Sequence, residues 1–180
     1  MAPNHARDDR RGIRLNRAGH GRMGLVKDRA NWLVLAQFVL LAVLVVLPFV
    51  LLVDPLWVGQ QATVLAVLLI ITGLVLIGAG AFALGRDLVP WVSPREGAPL
   101  KTTGAFRLTR NPVYVGLLIA AAGWAVWFAR VDLIVVWVLL AVVLVVKARV
   151  EERRLVARYG DEYREYAGHT PLMLWRRGVR

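Results

Sequence analysis

The 180-residue chain has no cysteine and only three histidines. The absence of thiols excludes disulfides, a thiol nucleophile and a thiolate metal site. His5, His20 and His169 lack the spacing of metal ligands, so we expect no metal site. Charged residues make up only 19% of the chain and are missing from long stretches. Because hydrophobic residues reach 58%, the composition indicates an integral membrane protein and not a soluble globular one.

Four apolar stretches predict membrane helices. Residues 33–53 and 62–84 carry no charge and are 21 and 23 residues long, which satisfies the roughly 20 residues that a spanning helix needs. Residues 112–129 and 133–146 are shorter and nearly adjacent, which predicts a tight helical hairpin. The predicted fold class is therefore all-α, an integral membrane protein with about four transmembrane helices.

Three regions follow from this pattern. Residues 1–31 are rich in Arg and Gly without an apolar period, so we expect a disordered basic arm. Residues 32–84 hold the first two transmembrane helices. Residues 85–180 form a C-terminal unit made of a Pro-rich loop, the helical hairpin and further helices outside the membrane.

The basic residues predict the orientation. All but one of the 23 Lys and Arg residues lie before residue 33, between residues 86 and 110 or after residue 146; the exception is Arg130. Because Lys and Arg near membrane helices stay on the cytoplasmic side, we expect both termini in the cytoplasm. The expected location of the chain is a bacterial plasma membrane. This bias also accounts for the net charge of +11, so we expect anionic membrane lipids as partners and no nucleic acid.

The connection from residue 86 to residue 111 contains several helix breakers, namely Pro90, Pro94, Gly97, Pro99 and Gly104. A connection of this length without regular structure usually has a function, so it is interpreted as a binding loop. Asn111 is a favoured N-cap and Pro112 fits the first helical position. Arg110 stands directly before this helix start, where its guanidinium and the free N–H groups would bind a carboxylate or phosphate. The alternative is an arginine that snorkels to lipid phosphates.

Two adjacent carboxylates, Glu151 and Glu152, follow the last apolar stretch on a helix that should continue out of the membrane. Gly160 predicts the end of that helix, and Asp161 the cap of the next one. Tyrosines recur along this segment at about one-turn spacing: Tyr159, Tyr163 and Tyr166. Taken alone, two such glutamates are more often a solvated or salt-bridged helix face than a catalytic pair.

Small residues indicate close helix packing in two places. Residues 78–83 faintly resemble a dinucleotide-binding motif, but no strand precedes them, so a packing role is the better interpretation. Gly116, Ala120 and Gly123 recur at helical spacing and predict a second packing seam.

Four motifs stand in order along the C-terminal unit. They are residues 104–106 (Gly-Ala-Phe), residues 110–116 (Arg-Asn-Pro-Val-Tyr-Val-Gly), the Glu151-Glu152 pair and residues 159–166 (Tyr-Gly-Asp-Glu-Tyr-Arg-Glu-Tyr). From about residue 99 to residue 174 the chain thereby resembles the membrane methyltransferases typified by isoprenylcysteine carboxyl methyltransferase and phospholipid N-methyltransferase. In that superfamily the second motif reads Arg-His-Pro-x-Tyr-x-Gly.

The resemblance implies methyl transfer from S-adenosylmethionine to a lipid-like or small hydrophobic acceptor, with residues 85–180 as the methyltransferase core and a cytoplasmic cofactor-binding end. Arg110, Glu151 and Glu152 would be the catalytic residues. The cofactor would be bound by Leu100, Gly104, Asn111, Pro112, Tyr114, Gly116, Tyr163 and Tyr166. Asn111 replaces the family's histidine, so this residue cannot abstract a proton. Glu151 or Glu152 would supply the base, or the acceptor would need none.

Two other functions are compatible with the sequence. The membrane sterol and steroid reductases have a related motif and use a nicotinamide cofactor, but Val113 and Leu117 depart from their pattern. A membrane scaffold or small transporter without catalysis would bind no cofactor at all. Among methyl acceptors, an isoprenylcysteine carboxylate, a phospholipid amine, a small thiol and a polyprenoid remain open.

Overall fold

The computed structural model describes residues 32–57, 59–85 and 99–173, and this part of the chain is helical without strands. Its five α-helices are α1 (Trp32–Val50), α2 (Gln60–Leu84), α3 (Pro112–Phe128), α4 (Val131–Tyr159) and α5 (Asp161–His169). A 3-10 helix, Gly104–Arg107, precedes α3. The predicted basic arm, the first half of the Pro-rich loop at residues 86–98 and residues 174–180 lie outside the described residues.

Three helices, α1, α2 and α4, are long and apolar enough to cross a membrane. Their large apolar side chains point outward in numbers that no water-soluble protein tolerates; Leu68 is 57% exposed and Val75 is 66% exposed. A hydrocarbon environment removes that cost, so the chain is an integral membrane protein.

Helix α3 is shorter than the other three apolar helices and lies inside the bundle. At 17 residues it is about 25 Å long, less than the hydrocarbon core of roughly 30 Å. It packs against α2 on one side and against α4 on the other. Val115, Leu118 and Ala121 of α3 join a buried core with Leu44 of α1 and with apolar residues of α4, among them Leu133, Leu140 and Leu144.

Backbone conformation at the helix ends follows the sequence closely. Pro112 opens α3, and Asn111 occupies its N-cap as predicted, but the Asn111 side chain makes no capping hydrogen bond. Ala129, in the left-handed conformation with φ 53°, ends α3 and allows the tight turn into α4. Gly160, with φ 57°, ends α4 as predicted. The prediction that Asp161 caps α5 was wrong, because Gly160 is the N-cap and Asp161 is the first helical residue.

Helices α2 and α3 touch backbone to backbone. A Cβ atom on Gly73 would lie 2.5 Å from the carbonyl oxygen of Gly116, and one on Gly116 would lie 2.6 Å from that of Gly73. A Cβ atom on Gly123 would lie 2.7 Å from the Ala66 carbonyl oxygen. The predicted seam on α3 is therefore present. Within residues 78–83, a Cβ on Gly80 would meet Val113, whereas Gly78 faces open space and takes no part in the contact.

Helix α1 is held by polar contacts near both of its ends. At one end the Lys147 ammonium of α4 donates to Gln37 Oε1 over 2.9 Å. Near the middle, Trp124 Nε1 of α3 donates to the Leu44 carbonyl over 2.9 Å. At the other end Arg130 donates to the Leu51 carbonyl over 2.6 Å. These side chains satisfy groups that would otherwise face hydrocarbon without a partner.

Arg130, the exception to the basic-residue pattern, is 3% exposed. Its Nε and Nη2 donate to the two carboxylate oxygens of Asp132, at 3.0 and 2.5 Å. The guanidinium is therefore neutralised by a neighbour and bound to the end of α1. Its burial explains how a single arginine can lie at the end of the bundle where the sequence has no other cation.

Candidate active site

The second and third sequence motifs meet at one end of the bundle. Arg110, directly before α3, forms a salt bridge from Nη1 to Glu152 Oε1 of α4. The side chains of the pair are 1% and 13% exposed. The ion pair is thus withdrawn from water. In such buried surroundings charge-assisted hydrogen bonds are stronger than in water.

One edge of the Arg110 guanidinium has no acceptor. Its Nε and Nη2 atoms are buried and lack a hydrogen-bond partner within the described part of the chain. These two donors point in parallel from the same side of the planar group, the arrangement that binds a carboxylate or phosphate in bidentate fashion. Buried donors of this kind are costly when unpaired, so this edge is a candidate binding position for an anion.

The neighbouring carboxylate has a different partner. The Tyr114 hydroxyl donates to Glu151 Oε1 over 2.6 Å. Arg110 and Tyr114 lie one helical turn apart and each engages one of the two adjacent glutamates. The Glu151-Glu152 pair is therefore not a solvated helix face, since both carboxylates are bound to the motif that begins α3.

Hydrogen bonds from residues 109–111 fix the backbone around Arg110. The Arg110 N–H donates to the Pro171 carbonyl over 2.9 Å. Thr109 Oγ1 and Asn111 Nδ2 both donate to the Leu172 carbonyl, at 3.2 and 3.0 Å. The segment that follows α5 thus binds all three residues. This contact also explains why the Asn111 side chain does not cap α3.

Two tyrosines of α5 close the site on one side. Tyr163 is 1% exposed, and the Arg110 guanidinium carbon lies 5.9 Å from the centre of its ring. The Tyr166 hydroxyl donates to the Phe106 carbonyl over 2.6 Å. Burial raises the pKa of the Tyr163 phenol and that of the Tyr166 phenol above their usual range. Both therefore remain neutral hydrogen-bond donors at physiological pH.

The other predicted cofactor residues have distinct surroundings. Gly104 adopts a positive φ of 62°, and a side chain there would meet nothing within 4 Å. Leu100 is half-buried in the segment before it, and Pro112 is buried at the start of α3. Gly116 lies in the α2–α3 seam, where helix packing alone requires glycine. A cofactor role for these four residues stays a prediction.

Sequence reasoning missed two residues beside the site. Lys147, one turn before Glu151 on α4, is 4% exposed, and its Nζ lies 4.9 Å from the centre of the Tyr114 ring. Gln37, its hydrogen-bond acceptor, is 9% exposed. The available signal was Gln37 itself, the only polar amide in the first apolar stretch. A polar residue within a membrane helix usually contacts another polar group.

A bundle of apolar helices with paired ionisable residues at one end defines the chain as an integral membrane protein with a built polar site. Residues 61–162 match the phospholipid methyltransferase family. This match covers more than half of the chain, which therefore belongs to that family of membrane methyltransferases. Among curated proteins, methanethiol S-methyltransferase 1 of Bradyrhizobium diazoefficiens is 29% identical over 97 residues, 53% of this chain and 31% of that enzyme. The aligned part is thus about a third of the relative's length.

Proposed function

We propose that the chain transfers a methyl group from S-adenosylmethionine to a lipid-like or small hydrophobic acceptor at the cytoplasmic membrane surface. The observation that carries this proposal is the free edge of Arg110 within the family-matched segment. Two parallel buried N–H donors suit the carboxylate of the cofactor's methionine part or that of an acidic acceptor. The residues present therefore fit the cofactor that the family implies.

Arg110 and the buried end of α4 would orient the reactants. Glu152 holds the guanidinium in place, and the bonds from residues 109–111 to Pro171 and Leu172 hold its backbone. Asn111, Tyr114, Tyr163 and Tyr166 would line the cofactor site, with Leu100, Gly104, Pro112 and Gly116 as further contacts. The cofactor supplies a methyl group already activated on a sulfonium sulfur, so the protein's task is chiefly alignment and exclusion of water.

The acceptor would reach the site from the bilayer. Helices α1 and α4 expose apolar side chains along their length, which allows a hydrophobic molecule to approach between helices while the soluble cofactor enters from the cytoplasm. In this topology α3 is a fourth crossing, both termini are cytoplasmic, and anionic lipids contact the flanking basic residues.

Calorimetry on the detergent-solubilised chain tests the proposal directly. Wild-type protein should bind S-adenosylmethionine, and Arg110→Lys should weaken binding by about tenfold or more, because lysine lacks the planar fork and loses about 1.5–3 kcal/mol of charge-assisted hydrogen bonding. Arg107→Lys is the matched control, since Arg107 is exposed on the 3-10 helix three residues away.

Equal affinities for the Arg110 and Arg107 variants would remove the anion site from the proposal. Binding of NADPH in place of S-adenosylmethionine would assign the chain to the reductase function instead. Binding of neither compound would favour a scaffold or transporter.

A further inference from the structure

Helix α1 reaches the candidate site through one polar side chain. Gln37 is 9% exposed, and its Oε1 accepts from the Lys147 ammonium of α4 over 2.9 Å. A glutamine inside an apolar membrane helix is costly to bury without a partner, so this contact accounts for its presence there. Gln37 also lies outside the segment that matches the family, residues 61–162. The first helix therefore contributes a contact that the family match does not cover.

Lys147 connects Gln37 to the pair formed by Tyr114 and Glu151. Its Nζ lies 4.9 Å from the centre of the Tyr114 ring. Glu151 follows Lys147 by one turn of α4, and the two opposite charges attract each other. The Glu151 carboxylate nevertheless accepts from the Tyr114 hydroxyl of α3 over 2.6 Å, while the ammonium donates to α1. Each of these two charged groups of α4 is thus held by a polar group of a different helix.

The arrangement depends on the freedom of the lysine side chain. A lysine ammonium carries three donors on a flexible four-carbon stem. Without its acceptor on α1, the Lys147 ammonium would be buried with a donor unpaired, and the Glu151 carboxylate one turn away would attract it. A hydrogen bond from an ammonium to a carboxylate is stronger than one from a neutral phenol. The carboxylate would therefore move along α4 towards Lys147 and away from the Tyr114 hydroxyl.

On the basis of the methyl transfer proposed above, we infer that Gln37 is a positioning residue of the site: it holds the Lys147 ammonium in place and so leaves Glu151 to accept from Tyr114. In the proposed function Tyr114 lines the cofactor site. A change at residue 37 therefore acts on cofactor binding through Lys147 and Glu151, and not by contact with the cofactor.

The state of the Tyr114 hydroxyl can be observed without cofactor. The chain has four tyrosines, so tyrosine labelled at Cζ with the NMR-active carbon isotope gives four signals in detergent, and Tyr114→Phe identifies one of them. Glu151→Met removes the acceptor of the hydroxyl and defines the reference position of the unbound state. Gln37→Met removes the acceptor of Lys147 with an unbranched side chain of similar length. It should shift the Tyr114 signal towards that reference position.

Three further variants distinguish positioning from helix packing. Gln37→Glu keeps an oxygen that accepts from Lys147 and should leave the Tyr114 signal at its wild-type position. The double variant Gln37→Met/Lys147→Met should move the signal back towards that position, because no ammonium remains to attract Glu151. Gln61→Met is the matched control, since it makes the same substitution at an exposed position of α2 and should shift nothing. If Gln37 served packing alone, a methionine of similar size would fit and the signal would stay in place.

Calorimetry of cofactor binding gives the second readout. Gln37→Met should weaken the binding of S-adenosylmethionine by about three- to tenfold, the loss expected when one buried hydrogen bond is displaced. Gln37→Glu and Gln61→Met should bind it with wild-type affinity.

A Tyr114 signal that stays in place in Gln37→Met, or moves equally in Gln37→Met and Gln37→Glu, would overturn the inference. Wild-type cofactor affinity of Gln37→Met would overturn it as well. A wild-type chain that binds no S-adenosylmethionine would instead overturn the proposed function, whereas the NMR result is obtained without cofactor, so the two failures are distinguishable. If Gln37→Met does not fold, Gln37→Thr replaces it, since a threonine hydroxyl bonds to its own helix and does not reach Lys147.

Discussion

Two adjacent glutamates with the same side chain have unlike surroundings in this protein. Glu152 is bound by a guanidinium and Glu151 by a neutral phenol. The ion pair with Arg110 makes the Glu152 side chain a fixed support for the guanidinium. Glu151 accepts from a neutral hydroxyl, which forms a weaker bond than a guanidinium does. Its side chain is therefore the less firmly held of the two.

The bond between Tyr114 and Glu151 can be measured with a double-mutant cycle. Tyr114→Phe and Glu151→Met should each weaken thermal stability in detergent, and the two effects should be non-additive by about 1–3 kcal/mol, because either change alone removes the same buried hydrogen bond. A second cycle pairs Tyr114→Phe with Glu162→Met at an exposed position of α5 and should be additive. Additivity in both cycles would argue against a significant interaction.

Much of the candidate site is predictable from residue order, because the sequence motifs contain Arg110, Tyr114, Glu151 and Glu152. Their pairing is not, since a sequence does not specify which of two neighbouring carboxylates faces which partner. Lys147 is expected from the sequence outside the membrane with the other cations, whereas in the structure it is buried beside Gln37 of α1 and the Tyr114 ring of α3. Gln37 and Lys147 are 110 residues apart, so no local pattern could connect them.

At the scale of helices, glycine sets the distance between α2 and α3. Gly73 and Gly116 bring two backbones into direct contact, and apolar periodicity could not reveal this because both helices are apolar on all sides. The helix bounds were easier, since Pro112 and Gly160 stop or start a helix by their own conformational limits. Helix α3, with 17 residues, is short for a membrane crossing, and its packing against the neighbouring helices shields it from lipid.

Gly73→Ala should destabilise the bundle by about 1–3 kcal/mol, because the added methyl would overlap the α3 backbone and the helices would have to separate. Gly78→Ala is the matched control on the same helix: its Cβ would meet nothing within 4 Å, so the substitution should be neutral or slightly stabilising. Thermal unfolding in detergent compares the two. Equal melting temperatures would exclude a close seam at Gly73.

At the scale of the whole molecule, the candidate active site and the contacts of Arg130 with Asp132 and the Leu51 carbonyl lie at opposite ends of the bundle. The site contains Arg110 and Glu152 near the start of α3 and late in α4, whereas Arg130 lies in the turn between these helices. Because the chain has no cysteine, any introduced thiol reports on one position without background.

Membrane-impermeant thiol reagents should therefore distinguish the two ends. In sealed vesicles of inverted orientation the cytoplasmic side faces outward. Arg107→Cys should react there at once, because the proposed topology places residue 107 on the cytoplasmic side. Gly59→Cys, at the start of α2, should react only after the vesicles are opened. Both positions are exposed in the folded chain, so burial cannot explain a difference. Reaction of both from the same side would eliminate the four-crossing topology.

The hydrogen bonds that hold α1 also constrain the order in which the protein is assembled. Gln37, Leu44 and Leu51 are synthesised first, but their partners Lys147, Trp124 and Arg130 lie 110, 80 and 79 residues later. At ordinary translation rates this is a delay on the order of 10 s. During that interval α1 lies in the bilayer without these three contacts, so it is fixed in the bundle only once α4 is being made, and a ribosome that stalls within the first half of α4 leaves α1 without its contact to Lys147.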